Sequence, residues 1–186
     1  MDQRGLIERA RDGEHDAFAE LLDARLARLD AAARLILRDA ELARDAVQEA
    51  IIRAWRDLPG LREPDRFDAW LHRLLVNTCL DLVRRRKHRV IEVELLSTDH
   101  VAPHDVASSL ADRQVIDEAL TRLSPDHRAV VALVYLLGMP VPEVARALGI
   151  PVGTAKSRLH YALAAMRTTM TAPPDGVPAI KGGQLA

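Results

Sequence analysis

The chain has 186 residues and a formal net charge of −1. Its composition, with 48% hydrophobic and 28% charged residues, is typical of globular proteins. The longest apolar run covers only residues 129–137, whereas a helix needs about 20 apolar residues to span a bilayer. The N-terminus has no apolar signal-peptide core. We therefore expect a cytoplasmic protein with no membrane insertion, built as one large or two small domains.

Two further features of the composition narrow the class. Aromatic residues make up 3% of the chain, while alanine, leucine and arginine are abundant, which favours helices over strands. The single cysteine, Cys79, excludes an internal disulfide and a multi-cysteine metal site. We predict an all-α protein of two small helical domains joined by a flexible linker, and no cofactor or metal.

The first half of the chain predicts four helices. A short helix lies near residues 6–10, and a longer one, with room for a break, covers 17–37. Asp39 is placed to cap a third helix, which Pro59-Gly60 stops. A fourth begins near Asp65 and continues through a series of leucines into an arginine run.

The second half predicts a linker and then a second helical domain. Residues 91–111 lose the helical pattern, and residues 172–186 form a proline- and glycine-rich tail that we expect to be disordered. Ser124-Pro125-Asp126 is a helix start signal. A short helix over 141–148, a tight turn at Gly149 and a longer helix follow, which is the helix-turn-helix plan.

The charges are unevenly distributed along the chain. Residues 84–90 carry five basic side chains and no acidic one, and residues 119–171 carry six basic and two acidic side chains. Residues 91–118, between them, carry seven acidic side chains and one basic. Two basic zones separated by an acidic segment indicate two separate contacts with a polyanion.

The helix that opens at Pro151 has an apolar stripe and a polar side without carboxylates. In a helix-turn-helix, this second helix enters the major groove of DNA. A merely solvated face is the alternative interpretation. The candidates for contacts to bases are Thr154, Ser157, Arg158 and Tyr161, and those for contacts to phosphates are Lys156 and His160.

Two N-terminal stretches carry further candidates. In DAVQEAIIRAW, residues 45–55, Ile52 shares an otherwise polar face with Asp45, Gln48 and Glu49, which suggests a protein partner although single exposed apolar residues are common. Aromatic residues beside a basic helix can hold an unstacked base, but Phe67 and Trp70 could equally be core. The candidates in this second stretch are Trp70, His72, Arg73, Asn77, Arg84, Arg85, Arg86 and Lys87.

Three stretches together resemble the extracytoplasmic-function (ECF) sigma factors of the sigma-70 family. They are DAVQEAIIRAW, FDAWLHRLLVNTCLDLVRRR and GIPVGTAKSRLHYALAAMR, in the family's order and spacing. The resemblance covers roughly residues 5–90 and 112–170. It implies region 2 at 1–90, a linker at 91–111, region 4 at 112–171 and a tail at 172–186.

The resemblance also implies roles for the candidate residues. Those on the Asp45–Ile52 face would bind core RNA polymerase, and those from Trp70 to Lys87 would recognise and melt the minus-ten element of promoter DNA. Those from Thr154 to Tyr161 would read the minus-thirty-five element. An anti-sigma factor is a further partner that the family implies. The chain departs from the family at Tyr161, where an arginine is frequent, and at His72, where an aromatic residue is frequent.

Two other functions are compatible with parts of the sequence. A stand-alone regulator could carry the same helix-turn-helix, but it leaves the Ile52 face and the Asn77 region unexplained. A metal-dependent DNA enzyme would need a ligand cluster, and His100 and His104 supply only two ligands across Pro103. We therefore expect a promoter-specificity factor for transcription initiation, with no catalytic residue of its own.

Overall fold

The computed structural model describes residues 2–94 and 110–171, with side chains described for 2–86 and 115–170. These residues are helical and contain no strand, which confirms the all-α prediction. Most of the predicted linker, all of the predicted tail and His100 and His104 lie outside the described residues.

The N-terminal lobe consists of four helices. They are α1 (Gln3–Arg11), α2 (His15–Leu37), α3 (Ala40–Asp57) and α4 (Phe67–Glu94). Gly13 adopts a φ of 95° after α1, and Arg38 ends α2 in the left-handed region at a φ of 55°. As predicted, Asp39 caps α3, and α3 ends at Asp57 before the turn at Pro59-Gly60.

The core of this lobe follows the helical periodicity of its sequence. Alanines 43, 46, 50 and 54 of α3 are all buried at helical spacing, and these small side chains let neighbouring helices approach closely. The space between helices is filled by larger side chains, of which Phe67 and Leu71 of α4 and Leu21 of α2 are at most 1% exposed. Of the two roles considered for Phe67, base binding and core packing, the structure therefore shows core packing.

The C-terminal lobe contains the predicted helix-turn-helix. Its helices are α5 (Leu110–Thr121), α6 (Pro125–Val131), α7 (Val141–Leu148) and α8 (Val152–Thr171), with a π-helical segment at Ala132–Leu136. The predicted start signal is confirmed, since the Ser124 hydroxyl accepts a hydrogen bond from the His127 amide at 3.3 Å. Gly149, at a φ of 65°, makes the left-handed turn between α7 and α8 that a side chain would strain.

Several boundaries differ from the prediction. Helix α4 continues to Glu94, past the predicted domain boundary at residue 90. Residues 88–94 contain no proline or glycine to stop a helix that has already formed. Helix α2 runs without a break, and Val152, placed on the apolar stripe of α8, is 41% exposed because it lies in the first turn.

The apolar surfaces of the two lobes meet. Helix α2 packs on α6 and on the π-helical segment, and α4 packs on α7. Val130, Leu133 and Val144 of the C-terminal lobe belong to the same buried cluster as Phe67 and Leu71 of the N-terminal lobe. We call this contact the interlobe seam.

Arg128 crosses the interlobe seam with a buried side chain. Its Nε donates to the carbonyl oxygen of Ile36 in α2 at 2.8 Å, and its Nη1 donates to those of Leu123 at 2.8 Å and Leu120 at 3.4 Å. Burial, with a smaller contribution from Arg38, lowers the pKa of Arg128 to about 10. The guanidinium therefore remains protonated at neutral pH and satisfies carbonyls at the ends of helices that would otherwise be unpaired.

The cap of α3 gives a stability prediction. The Asp39 carboxylate accepts hydrogen bonds from the amides of Glu41 and Leu42, both at 3.1 Å, so Asp39→Ala should lower the free energy of unfolding by about 1 kcal/mol at pH 7. Asp39→Asn is the control, because asparagine caps as well as aspartate. Chemical denaturation of the three proteins measures the difference, and equal stability of the alanine variant and the parent would contradict the role of the cap.

The same variant should show a pH dependence. The Leu42 amide, followed by Arg86 and the Glu41 amide, lowers the pKa of Asp39 in the folded state against the desolvation that opposes it. A lowered folded-state pKa means that the contribution is present above the unfolded-state pKa and is lost as the pH falls through the folded-state pKa. The gap between parent and Asp39→Ala should therefore shrink in acid, below a pH of about 4.

Candidate functional site

The outer face of α3 borders an open groove. Asp45, Gln48 and Glu49 are exposed, and Ile52 is 52% exposed. Glu49 accepts a hydrogen bond from Arg53 Nε at 2.7 Å. The structure therefore brings the four predicted residues together on one surface that combines carboxylates with an apolar side chain.

The groove has a volume of about 540 Å³ and lies between α2 and α3. Ile52 and Ile51 line it from α3, and Leu26 and Ala27 line it from α2. Leu26, one of the apolar residues of α2, is 37% exposed. Sequence reasoning did not identify Leu26 as a surface residue. Periodicity shows which face of a helix is apolar, but it does not show how far a neighbouring helix covers that face.

On α4, a stripe of candidate residues follows the helical repeat. Trp70, Arg73, Asn77 and Arg84 are spaced by three, four and seven residues, which places them on one face. Trp70 is half-buried, and its ring centroid lies 5.8 Å from that of Phe67. Trp70 and Arg73 line a cavity of about 300 Å³ together with residues of the C-terminal lobe that include Met139 and Glu143. An aromatic ring and a guanidinium thus line the same cavity.

His72 lies apart from that stripe. Two positions along the helix from Trp70, it points to another face, among the charges of Asp68, Arg25 and Arg28. Its Nδ1 is buried with no hydrogen-bond partner among the described residues. Burial, assisted by the two arginines, lowers its pKa, so the ring is neutral at neutral pH. The structure does not bring His72 together with Trp70 and Arg73.

The arginine run lies on the exposed part of α4. Arg84, Arg85 and Arg86 are exposed, and the side chain of Lys87 lies outside the described ones. Arg84 pairs with Asp81, and Arg86 Nη1 reaches Asp39 Oδ2 at 3.2 Å. Two of the three described arginines therefore already have a carboxylate partner within the chain.

The polar face of α8 is the third surface. Lys156, Ser157, His160 and Tyr161 are exposed, Tyr161 by 65%, while Thr154 is partly buried. Nothing in the structure lies within 4 Å of a Cβ built on Gly153, so the first turn of α8 is open to a close approach. The structure brings the six predicted residues of α8 into one region near its N-terminal half.

Arg158 differs from the other residues of this surface in having an acidic partner. Its Nη1 lies 3.3 Å from Asp126 Oδ1 in the first turn of α6, and its side chain is 29% exposed. The pair links α8 to α6. The contact uses one of the five N–H donors of the guanidinium and orients the side chain towards α6.

The described residues offer neither a metal cluster nor a membrane-spanning helix. Among residues 2–94 and 110–171, no group of three or more histidine, cysteine, aspartate or glutamate side chains is arranged to hold a metal ion. Over the same residues, no helix combines the length and apolarity needed to cross a bilayer. Cys79 is buried, and burial raises the pKa of its thiol to about 12, so it is not a reactive thiolate.

Comparison with known families divides the chain in two. Residues 21–89 match Sigma-70 region 2, and residues 113–166 match Sigma-70, region 4. The first match contains the α3 and α4 surfaces, and the second contains the α8 surface.

The similar proteins of known name are sigma factors. The chain is 29% identical to the ECF RNA polymerase sigma factor SigW of Bacillus subtilis, over 87% of this chain and 92% of that protein. It is 36% identical to SigL of Mycobacterium tuberculosis, over 71% and 76% of the two chains. It is 35% identical to the RNA polymerase sigma-E factor of Streptomyces avermitilis, over 83% and 86%.

Two solved structures have a similar fold. The sigma factor RpoE, in complex with the anti-sigma factor NepR from Bartonella quintana, aligns with a TM-score of 0.71 at 27% identity, over 82% of this chain and 96% of RpoE. CnrH, in complex with the cytosolic domain of CnrY, aligns with a TM-score of 0.64 at 28% identity, over 90% and 96%.

The exposed arginines of α4 give a prediction for DNA binding. If Arg85 contacts a phosphate, Arg85→Ala should reduce the slope of log binding constant against log salt by about one unit, because one fewer counterion is released. Fluorescence anisotropy with a labelled duplex across a salt series measures that slope. Arg56→Ala is the control, since Arg56 is also an exposed arginine and lies at the end of α3. Identical slopes for all three proteins would remove Arg85 from the DNA contact.

Proposed function

Because this chain belongs to the ECF sigma factors of the sigma-70 family, we propose that it binds core RNA polymerase and directs it to promoters through their minus-ten and minus-thirty-five elements. The observation that carries the proposal is the presence in one chain of an exposed apolar groove on the N-terminal lobe and an exposed helix-turn-helix face on the C-terminal lobe. A stand-alone regulator needs only the second. Bond formation belongs to the polymerase, while this chain supplies binding energy and specificity.

We assign polymerase binding to the groove between α2 and α3. Ile52 and Leu26 belong to the apolar lining of the groove, and Asp30, Arg44 and Gln48 supply the polar groups of its lining. An apolar centre within a polar rim is the usual arrangement of a protein–protein interface. Leu26 joins Asp45, Gln48, Glu49 and Ile52 in this assignment on the basis of its exposure.

We assign minus-ten recognition to α4. A melted strand would lie along the stripe that starts at Trp70, with an unstacked base held by the aromatic ring and the side chains of Arg73 and Asn77 beside it. The exposed arginines from Arg84 to Arg86 and Lys87 would neutralise its phosphates. His72, on another face of α4, would support this surface from behind by packing against α2.

We assign minus-thirty-five recognition to α8. Thr154, Ser157, Arg158 and Tyr161 would contact base edges, and Lys156 and His160 would contact phosphates. The open first turn at Gly153 would allow the backbone close to the DNA. Since the polymerase is cytoplasmic, the chain would act in the cytoplasm.

An anti-sigma factor is the proposed regulatory partner. It is supported by the two solved relatives, one bound to the anti-sigma factor NepR and the other to the cytosolic domain of CnrY. Such a partner would compete with the polymerase or with DNA for the same surfaces.

The polymerase interface gives a prediction for Ile52. Ile52→Asp should weaken binding to core polymerase roughly 30-fold, because placing a carboxylate at the centre of an interface costs about 2 kcal/mol. Biolayer interferometry with immobilised core enzyme measures the change. Ile116→Asp is the control, as Ile116 is 40% exposed on α5 and outside the groove. Unchanged affinity of the Ile52 variant would show that core polymerase binds a different surface of the chain.

The upstream DNA contact gives a prediction for Arg158. Arg158→Ala should reduce discrimination between the correct and an altered minus-thirty-five sequence by about 1–3 kcal/mol, since a bidentate contact to a base is lost. The measurement is transcription by holoenzyme from both promoters, taken from genes whose transcripts rise on overexpression. Binding to core polymerase should remain at the parent level, as it should for Arg122→Ala, a change at an exposed arginine in the turn after α5. Loss of core binding by the Arg158 variant would contradict this division of labour.

A further inference from the structure

The ring of Tyr161 stands open to solvent on the polar face of α8. Tyr161 is 65% exposed, and no large apolar side chain among the described residues is more exposed. It is the only phenylalanine, tyrosine or tryptophan of α8. Within the described part of the chain its hydroxyl has no hydrogen-bond partner. Exposure alone assigns no role to such a ring, because single exposed apolar side chains are common.

Tyr161 continues a line of side chains that includes Thr154 and Ser157. Residues three, four and seven positions apart share one face of a helix, and seven residues advance about 10 Å along its axis. That length corresponds to about three base pairs of duplex at roughly 3.4 Å each. Tyr161 is the tenth of the 20 residues of α8. A helix that enters the major groove by its N-terminal half begins to leave the base edges at such a position, so a long side chain is needed there to reach a base.

The immediate neighbours of Tyr161 restrict what it presents to the groove. The His160 ring lies edge-on to it, with the centroids 5.9 Å apart and an angle of 73° between the planes. This contact limits the rotation of the phenol ring, which lowers the entropy lost when the ring is ordered on DNA. Ser157 Oγ, one turn earlier, donates to the Thr154 carbonyl oxygen at 3.0 Å. Helix α8 contains no aspartate or glutamate, so it offers no carboxylate to the amino group of cytosine.

The chemistry of a tyrosine side chain distinguishes one of the four bases. The 5-methyl of thymine is the apolar group that base pairs present in the major groove, and an aromatic ring packs against it. Guanine is selected there by two donors, and adenine by a donor and an acceptor, each in a bidentate contact. Tyr161 carries one hydroxyl on a rigid ring, so it cannot form two hydrogen bonds with the separate groups of one base edge.

We propose that Tyr161 selects a thymine in the minus-thirty-five element of the promoters that this chain recognises, by packing its ring against the 5-methyl group in the major groove. The inference rests on the proposed function, in which α8 reads this element, and it adds the base that one residue of α8 selects. The contact removes an exposed ring and an exposed methyl group from water together, which is the source of its free energy.

The test uses holoenzyme reconstituted from the full chain and core polymerase, with duplex promoters of genes whose transcripts rise on overexpression. Each thymine of the minus-thirty-five element, on either strand, is replaced in turn by deoxyuridine, which removes only the methyl group. Competition fluorescence anisotropy measures the affinity for each duplex. We expect one replacement to weaken binding by the parent about fourfold, the effect of losing the burial of one methyl group.

Three variants connect that loss to Tyr161. Tyr161→Ala should bind the thymine and deoxyuridine duplexes equally, because the ring is absent. Tyr161→Phe should retain the loss, because the ring remains. Tyr135→Ala is the matched control and should behave as the parent, since Tyr135 is the other tyrosine of the chain and is 60% exposed in the π-helical segment. Binding of each variant to core polymerase at the parent level shows that it is folded.

Two results would overturn the inference. The first is a minus-thirty-five element in which no thymine is present, or in which no replacement by deoxyuridine changes binding by the parent. The second is a loss that persists in Tyr161→Ala, which would assign the methyl contact to another residue. Holoenzyme that ignores the minus-thirty-five sequence altogether would reject the proposed function of α8. Holoenzyme that reads the element without any effect of the methyl group would reject the role of Tyr161 alone.

Discussion

One buried guanidinium supplies the specific polar contact within the apolar seam between the two lobes. Arg128 donates to carbonyl oxygens of Ile36, Leu120 and Leu123, which come from two different lobes. A buried arginine is tolerated only where its donors find acceptors, and the ends of helices are where backbone carbonyls lack partners. The same contact therefore provides hydrogen-bond partners both for the buried guanidinium and for the helix-end carbonyl groups. It also makes the position of α6 on α2 specific, because the hydrogen bond from Arg128 to the Ile36 carbonyl forms only when the two helices are correctly placed.

A second constraint is that the first part of α4 packs in the core while its last part is exposed at the surface. Phe67, Leu71 and Leu75 are buried, whereas Arg84, Arg85 and Arg86 are exposed. One rigid helix thus connects the aromatic region at Trp70 to the basic run at its other end. If a strand follows this helix, its base and its phosphates meet groups whose spacing is set by the helical rise.

The free chain already satisfies many of the charges that we assign to DNA. Arg158 pairs with Asp126, and Arg86 pairs with Asp39. These pairs are largely exposed, so each contributes little to stability. Their effect is to orient the two guanidinium groups towards carboxylates of neighbouring helices. The chain as a whole has a net charge of −1, and its affinity for DNA therefore depends on local basic surfaces.

The sequence by itself determined the helices, their caps and the family. Periodicity placed the apolar faces, Asp39 and Ser124 marked helix starts, and Gly149 marked the turn of the helix-turn-helix. These are local properties, because a cap or a glycine acts within a few residues of its position. The candidate residues of α3 and α8 were found in the same way, as polar faces opposite an apolar stripe.

Only the tertiary structure decided which surfaces remain open. The exposure of Leu26, the different faces of His72 and Trp70, and the docking of α7 on α4 all depend on residues far apart in the chain. Periodicity cannot show where a neighbouring helix ends or which apolar faces pack against each other. The seam between the lobes is such a case, since its energy comes from long-range apolar burial and from one arginine that no local pattern distinguishes from the other basic residues.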